Sequence, residues 1–303
     1  MNNTPLHVII PYFDHVNARV NRENLRICLR NLSGNPNILI TLAEGIYQAP
    51  SELPDLSGML YRHLKFRLQN PIWVHQNLVN LALQSLGENW EFAAWVDKDI
   101  QFLNPFWDRE TVRVLQEADL AQPWSRIVFL GHDRDLELNG PSLVNFEGHG
   151  DPRGIMSFCH AKIRSLPKPG HTGNAWAIKK SFYRKIGKLF DLCIVGGGDT
   201  AMTAALNRRL DRPNLRVYGD LFREHAVKFE GARIGYSPGT IVHHFHGELE
   251  NRRYAERYLM LEAGGFKPST DLSYAENGTL RLSNPKLEVL IREFFLSRGE
   301  HLV

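Results

Sequence analysis

Residues 91–100 read EFAAWVDKDI, an apolar run followed at once by two aspartates, Asp97 and Asp99, with one residue between them. A short apolar run bounded by polar residues is typical of a buried strand. Two similar runs precede it along the chain, HVII at residues 7–10 and NILITLA at residues 37–43. Strands that are apolar on both sides predict a sheet whose two faces are both covered.

Helical patterns separate these strands. The first stripe of apolar residues at spacings of three and four ends just before Gly34, and a second stripe follows the second strand. The residues of the two stripes are Leu25, Cys28, Leu29 and Leu32, then Val74, Leu78, Leu81 and Ala82. Strands that alternate with helices predict the α/β class, with a Rossmann-like, mixed and mostly parallel sheet flanked by helices.

The second half of the chain is less regular. Residues 125–170 are rich in Gly, Pro, His and charged residues, which predicts a long polar stretch with a functional role. We expect a strand running into a helix at 173–187, a helix at 199–209, and a strand and turn at 240–247. Beyond residue 248 we expect a helical C-terminal extension with two helices, one of them presenting Tyr254, Tyr258 and Leu261 on one face.

Composition narrows the class of protein. The chain has 303 residues, 43% of them hydrophobic and 23% charged, which excludes a disordered chain, and its net charge of +3 is too small to argue for nucleic-acid binding. Cys28, Cys159 and Cys193 are too widely spaced for a thiolate zinc site or a disulfide framework. The sequence shows neither a signal peptide nor a transmembrane segment, so we expect a cytoplasmic protein.

Three clusters carry candidate chemistry. Asp97 and Asp99 follow a strand, at the sheet edge where α/β folds bind ligands, and carboxylates suit Mg²⁺ or Mn²⁺. A second pair, Asp133 and Asp135, lies in a polar loop with no strand before it, so we interpret it as solvated. Solvated loop carboxylates are also the alternative for the first pair.

The second cluster is the run GGGDT at residues 196–200. Glycines allow a ligand to approach the backbone closely, and Asp199 then begins a helix. Asp199 is either a general base for a substrate hydroxyl or an N-cap of that helix, and both roles are compatible in geometry.

The third cluster is HHFH at residues 243–246. On a regular strand His243 would face away from His244 and His246, but a turn near Gly247 would let His243 and His246 converge. Imidazoles beside a carboxylate pair complete a divalent site, and Mn²⁺ tolerates such mixed ligands better than Mg²⁺. Three arginines follow in NRRYAER, residues 251–257, as candidates for neutralising a diphosphate or as a solvated helix face.

In this order along the chain, the segments HVIIPYF, WVDKDIQFLNP, HTGNAWAIKKSFYRKIGKLFD, VGGGDTAMTAAL and IVHHFHG resemble the GT-A glycosyltransferases. The resemblance is greatest to the family-two-like and galactosyltransferase-like branch of bacteria and phages, and it runs from about His7 to Tyr258. It implies a GT-A-type fold with a catalytic domain at 1–248, whose nucleotide-sugar half is about 1–105 and whose acceptor half is about 106–248. Residues 249–303 would form the extension packed on that domain.

The resemblance also implies roles for individual residues. Asp97 and Asp99 would form the D-x-D element that holds Mn²⁺ or Mg²⁺ on the diphosphate of the donor. His243 would be a further metal ligand, with His246 and then His244 as weaker choices, and Asp199 would be the base. The residues implied in donor binding are Pro11, Glu44, Asp97, Lys98, Gly197, Gly198 and His246. The chain departs from related enzymes at Gly198, where they commonly carry an acidic residue.

We therefore expect a metal-dependent, inverting, hexosyltransferase-like glycosyltransferase. It would move a sugar from a nucleotide-sugar donor, a UDP-sugar, to a hydroxyl of a glycan, a protein or a hydroxylated DNA base. Metal on the diphosphate would stabilise the leaving group. Two alternatives stay open from the sequence: a nucleotidyltransferase on the same fold, and a non-catalytic module that binds a nucleotide sugar or a glycan.

Overall fold

The computed structural model describes residues 5–48, 53–131, 171–248, 250–254 and 256–302. Asp133, Asp135, Cys159 and most of the predicted irregular stretch lie outside these ranges. The described strands, in chain order, are β1 (Leu6–Phe13), β2 (Ile38–Tyr47), β3 (Arg62–Leu68), β4 (Phe92–Val96), β5 (Ile100–Phe102), β6 (Leu120–Gln122), β7 (Arg126–Phe129), β8 (Ala175–Lys179), β9 (Ile234–Tyr236), β10 (Thr240–His243), β11 (Leu272–Tyr274) and β12 (Leu280–Leu282). The described helices are α1 (Arg19–Ser33), α2 (His75–Ser85), α3 (Trp107–Glu117), α4 (Lys180–Ile186), α5 (Gly198–Leu206), α6 (Gly219–Val227), α7 (Glu256–Ala263), α8 (Pro268–Asp271) and α9 (Pro285–Ser297).

The main sheet has seven strands in the order β3-β2-β1-β4-β8-β6-β9. Strands β1 to β4 pair in parallel, whereas β8 runs antiparallel to both of its neighbours, β4 and β6. The predicted α/β class with a mixed sheet is therefore confirmed. Because β8 lies beside β4, the residue before it, Asn174, accepts a backbone hydrogen bond from Asp97 at 2.8 Å.

Alternate residues of β1 enter two separate apolar cores. Val8 and Ile10 are fully buried on the side covered by α1, together with Leu25. Ile9 is fully buried on the opposite side, against Leu78 of α2. Since successive side chains of a strand point to opposite faces, a strand between two helical layers must be apolar at consecutive positions. This explains the run at residues 7–10.

A three-stranded sheet, β5-β10-β7, brings the histidines to the D-x-D segment. In the antiparallel register of β10 and β5, His243 faces Ile100, the residue directly after Asp99. Within the strand and turn predicted at 240–247, the strand ends at His243, so the residues that follow do not alternate between two faces. The stretch predicted to be irregular, residues 125–170, begins with a regular element, strand β7. Ile127 of this strand is buried in the core.

The C-terminal part is helical as expected, but its described residues contain three helices, α7, α8 and α9, instead of two, and also the unpredicted hairpin β11–β12. Tyr258 and Leu261 are buried on α7, whereas Tyr254 precedes this helix and is exposed, so the expected shared face was wrong for Tyr254.

Leu261, Leu287 and Ile291 of the C-terminal part are fully buried in the same core as α2. A polar network adds to this packing: the buried Asp191 accepts hydrogen bonds from the Tyr274 hydroxyl at 2.7 Å and from other polar groups around it. In the described part of the chain, no helix has the length and apolar character needed to cross a bilayer.

Candidate active site

A cavity of about 400 Å³ lies at the carboxyl ends of β1 and β4. Open α/β sheets bind their ligands at this edge. Its walls include the end of β1, residues 97–99 after β4, the segment before β8, the glycine loop before α5, the end of β10, and the C-terminal part. Pro11 and Lys98, two of the predicted donor-binding residues, are among the residues that line it.

Asp99, His243 and His246 form a buried cluster in this cavity. One ligand atom from each lies within 4.8 Å of the other two. Asp99 Oδ2 is 2.9 Å from His246 Nε2, and Asp99 Oδ1 is 3.9 Å from His243 Nε2. Among the described residues, Asp99 Oδ1 has no hydrogen-bond partner although it is buried. A carboxylate and two imidazoles that converge in this way fit a divalent cation.

The ionisation of this cluster agrees with metal binding. Burial lowers the pKa of His243 well below its ordinary value, so its imidazole is neutral. Burial alone would raise the pKa of Asp99, but the neighbouring groups of His243, Lys98 and His246 hold it well below its usual range. Metal ligands must be deprotonated, and these two groups are in that state at neutral pH.

Asp97 is not one of the three clustered residues. Its Oδ1 accepts a hydrogen bond from His75 Nε2 at 2.8 Å, and 31% of its side chain stays exposed. Burial would lower the pKa of His75, but this hydrogen bond and the charge of Asp97 raise it above its ordinary value. The two aspartates of the D-x-D segment therefore have different surroundings.

Asp199 lies in the first turn of α5 and lines the cavity. The N-cap of α5 is Gly197, so capping does not explain Asp199. Gln76 Nε2 donates a hydrogen bond to Asp199 Oδ1 at 3.4 Å. Burial raises the pKa of Asp199 to about 7, and the charge of Asp97 acts in the same direction. A carboxyl group with this pKa is suited to accept a proton at neutral pH.

The glycine loop is crowded by other side chains. A Cβ atom at Gly197 would lie 2.0 Å from the Tyr258 hydroxyl, and φ there is +96°. A Cβ atom at Gly198 would lie 2.1 Å from Gln76 Cδ. Gly197 lines the cavity, whereas Gly198 packs against Gln76 and is not one of the lining residues. Gln76 thus fills the space beside Asp199 that a side chain at position 198 would need.

Positive charge lies along the wall formed by the C-terminal part. Arg252 and Arg257, two of the three arginines of residues 251–257, line the cavity, and so does Arg298. Arg252 Nη2 lies 2.8 Å from His246 Nε2. The remaining arginine of that segment, Arg253, pairs with Glu256 on the protein surface. This wall provides guanidinium groups suited to an anionic ligand.

Besides Gly198, two predicted site residues lie outside the cavity lining. Glu44 is buried and accepts a hydrogen bond from His63 Nε2 at 2.7 Å, and it is not among the residues that line the cavity. His244 is also outside the lining; its backbone N–H donates to the Asp99 carbonyl at 2.8 Å, and its ring lies 3.2 Å from Gln101. The position of Glu44 therefore does not support the predicted contact with the donor. The position of His244 does not support the predicted contact with the metal.

Three residues that line this cavity, His75, Arg298 and Glu300, were not predicted from the sequence. Neither was Gln76, which contacts Asp199 from beside the cavity. His75 and Gln76 begin α2, and their signal was a polar pair directly before an apolar helical stripe. Arg298 and Glu300 also line the cavity, but they follow α9 and nothing in the local sequence marks them. They reach the site only through the packing of the C-terminal part.

Comparison with known proteins finds no matching family model and no curated protein of significant similarity. Solved structures do match. TarS of S. aureus, residues 1–349, is 12% identical, with a TM-score of 0.42 over 76% of this chain and 66% of that one. Against a second TarS structure, the chain spans only 39% of the matched length.

Two further matches span nearly the whole of both chains. Glucosyl-3-phosphoglycerate synthase of Mycobacterium tuberculosis, in complex with Mn²⁺, UDP-glucose and phosphoglyceric acid, is 12% identical, with a TM-score of 0.41 and coverage of 95% and 91%. Drosophila β1,4-galactosyltransferase 7, in complex with xylobiose, is 9% identical, with a TM-score of 0.40 and coverage of 94% and 98%. These are enzymes of the kind that the sequence resembles. At such identities and TM-scores they assign neither an activity nor a substrate to this chain.

Proposed function

We propose that the protein is a metal-dependent glycosyltransferase that moves a sugar from a UDP-sugar to a hydroxyl acceptor with inversion. One observation carries the proposal: a single cavity contains a carboxylate–imidazole cluster suited to a divalent cation and, apart from it, a carboxyl group with a pKa of about 7. Sugar transfer needs both functions, because charge grows on the leaving diphosphate while the acceptor hydroxyl loses its proton.

Asp99, His243 and His246 are the residues that would hold the metal. A bound divalent cation supplies Lewis-acid stabilisation of the leaving diphosphate. Two imidazoles and one carboxylate favour Mn²⁺ over Mg²⁺, which prefers oxygen ligands. Asp97 and Lys98 lie beside this cluster at the cavity wall and would bind the donor together with Pro11 and Gly197. Arg252 and Arg298 would neutralise the remaining charge of the diphosphate.

Asp199 would act as the general base. The Gln76 amide holds one of its oxygens, and its other oxygen is left to receive the acceptor proton. Asp199 would accept the proton of the acceptor hydroxyl while the sugar is transferred, so that the transfer needs only one displacement. A single displacement inverts the anomeric configuration.

The acceptor is a compound with a hydroxyl group, with glycans, proteins and hydroxylated DNA bases as the classes to compare. Residues 1–248 would form the catalytic domain, with donor binding at about 1–105 and acceptor binding at about 106–248, and residues 249–303 would complete its site with Arg252 and Arg298.

The proposal is tested by separating donor binding from turnover. Wild type, Asp199→Asn and Asp220→Asn are incubated with Mn²⁺, a panel of nucleotide sugars and acceptors of the three classes. Asp220 is the matched control, because its side chain is 83% exposed on the surface. Release of nucleoside diphosphate measures turnover, and thermal shift measures donor binding.

We expect Asp199→Asn to bind the donor as the wild type does and to lose about 10²–10⁴-fold in turnover, the usual contribution of a general base. The control should keep both properties. Turnover of Asp199→Asn at the wild-type rate would refute the base. A wild type that binds none of the nucleotide sugars would refute the whole proposal.

A further inference from the structure

Arg298 and Glu300, which follow α9, lie beside the candidate metal-binding residues Asp99, His243 and His246. His246 Nδ1 lies 3.3 Å from Glu300 Oε1, and Arg298 donates a hydrogen bond to the same oxygen. Both side chains are almost buried, with 12% of Arg298 and 13% of Glu300 exposed. Glu300 is thus held in place by an ion pair and presents a carboxylate oxygen to the ring of a candidate metal ligand.

The contacts of His246 determine which nitrogen carries its proton. Arg252 Nη2 lies 2.8 Å from His246 Nε2, and a guanidinium can only donate. When Nε2 accepts this hydrogen bond, the ring carries its one proton on Nδ1. Glu300 is placed to accept a hydrogen bond from this Nδ1–H group.

With the proton on Nδ1, the lone pair of His246 Nε2 is directed at Asp99 Oδ2, which is itself a hydrogen-bond acceptor. Asp99 Oδ2 lies 2.9 Å from His246 Nε2, and two unprotonated acceptors at this distance repel each other. Positive charge near the two atoms reduces this repulsion: Arg252 Nη2 lies 2.8 Å from His246 Nε2, and Lys98 Nζ lies 3.5 Å from Asp99 Oδ2. A divalent cation bound by Asp99, His243 and His246 would remove the repulsion completely, and it requires the Nε2 lone pair that this tautomer provides.

We propose that Glu300 is a positioning residue of the metal centre: it keeps the proton of His246 on Nδ1 and directs the Nε2 lone pair at the cation shared with Asp99 and His243. This inference rests on the proposed function, because it assumes that the cluster binds a metal. A carboxylate behind a histidine ligand fixes the ring orientation and increases the basicity of the ligand.

The test measures Mn²⁺ affinity directly, from the electron paramagnetic resonance signal of free Mn²⁺, with no donor or acceptor present. We compare the wild type with Glu300→Ala and Glu300→Gln. Glu293→Ala, at an exposed position of α9, is the matched control. Far-UV circular dichroism and thermal unfolding of the metal-free proteins show whether each variant is folded.

Loss of the outer carboxylate typically weakens metal binding about 10–100-fold. We expect a loss of that size in Glu300→Ala, a smaller one in Glu300→Gln, whose amide oxygen can still accept from Nδ1, and none in Glu293→Ala. A folded Glu300→Ala that binds Mn²⁺ as tightly as the wild type would overturn the inference and leave the proposed function intact. A wild type that does not bind Mn²⁺ would refute the metal centre itself.

A second measurement does not depend on the folding of any Glu300 variant. Nitrogen-15 NMR of the histidine rings in the metal-free wild type reports the tautomer, and the His246 signals are assigned by their loss in His246→Gln. We expect a protonated Nδ1 and an unprotonated Nε2. The opposite tautomer would overturn the role of Glu300.

Discussion

The pKa of Asp199 sets the pH dependence of the proposed transfer. A general base works only when it is ionised, so the rate should rise with pH and reach half of its plateau near pH 7, where the pKa lies. The ionised fraction of such a group is about a tenth at one pH unit below its pKa and about nine-tenths at one unit above. The kcat/KM of the reaction, which reports the base in the free enzyme, should therefore increase about tenfold between pH 6 and pH 8.

Arg257 offers a way to move this midpoint. Its positive charge lowers the pKa of Asp199, against the effect of burial. Arg257→Gln should therefore raise the pKa, by up to about one unit for a charge at close range, and shift the profile to higher pH. At pH 7 the variant would then lose about fivefold in kcat/KM, and the loss would disappear above about pH 8.5. Arg223→Gln is the control, since the Arg223 side chain is 63% exposed.

The assay is the rate of nucleoside diphosphate release at donor and acceptor concentrations well below their KM, which gives kcat/KM, from about pH 5.5 to pH 9 at constant free Mn²⁺. A rate that does not change across pH 7 would refute the assignment of the base. A midpoint that stays in place or moves to lower pH in Arg257→Gln would refute the electrostatic reasoning.

Three further predictions concern stability and metal choice. Gly197→Ala should destabilise the fold by about 2–5 kcal/mol in urea unfolding, because strain at φ +96° adds to the clash with Tyr258. The control Gly87→Ala, at φ +62° with no atom near its Cβ, should cost only about 1–2 kcal/mol. Equal losses of stability in the two variants would contradict the clash. Tyr274→Phe removes the 2.7 Å hydrogen bond to Asp191 and should cost about 1–2 kcal/mol in the same assay; an unchanged midpoint would show that the bond contributes nothing. After treatment with chelator, turnover should return with Mn²⁺ more fully than with Mg²⁺, because imidazole ligands disfavour Mg²⁺, and a preference for Mg²⁺ would speak against the histidines as ligands.

The sequence predicts the centre of the fold well because local pattern and burial agree there. Strands β1, β2 and β4 are apolar at consecutive positions, as their place between two helical layers requires. Strand β3 was missed for the opposite reason. It lies at the edge of the sheet, and its sequence RHLKFRL keeps charged side chains partly exposed, so no apolar run marks it.

The candidate site was predicted to the extent that its residues follow strands or glycines. Asp97, Asp99, Asp199, His243 and His246 all have such a local signal, whereas His244 has the same signal and lies outside the site. The different surroundings of Asp97 and Asp99 were not predictable, because they depend on His75, which α2 brings to Asp97. Glu300 was not predictable either: it lies 54 residues beyond His246, and only the packing of the C-terminal part joins the two.

The most direct test of the account is calorimetric titration of UDP into the wild type and Asp99→Asn, with and without Mn²⁺, and with Asp220→Asn as the control. The account predicts that UDP binds to the wild type in a Mn²⁺-dependent manner. It also predicts that Asp99→Asn weakens this binding at least tenfold, or about 1.4 kcal/mol, while the control binds as the wild type does. Binding of UDP that is equally tight in Asp99→Asn, or no binding of UDP to the wild type, would contradict it.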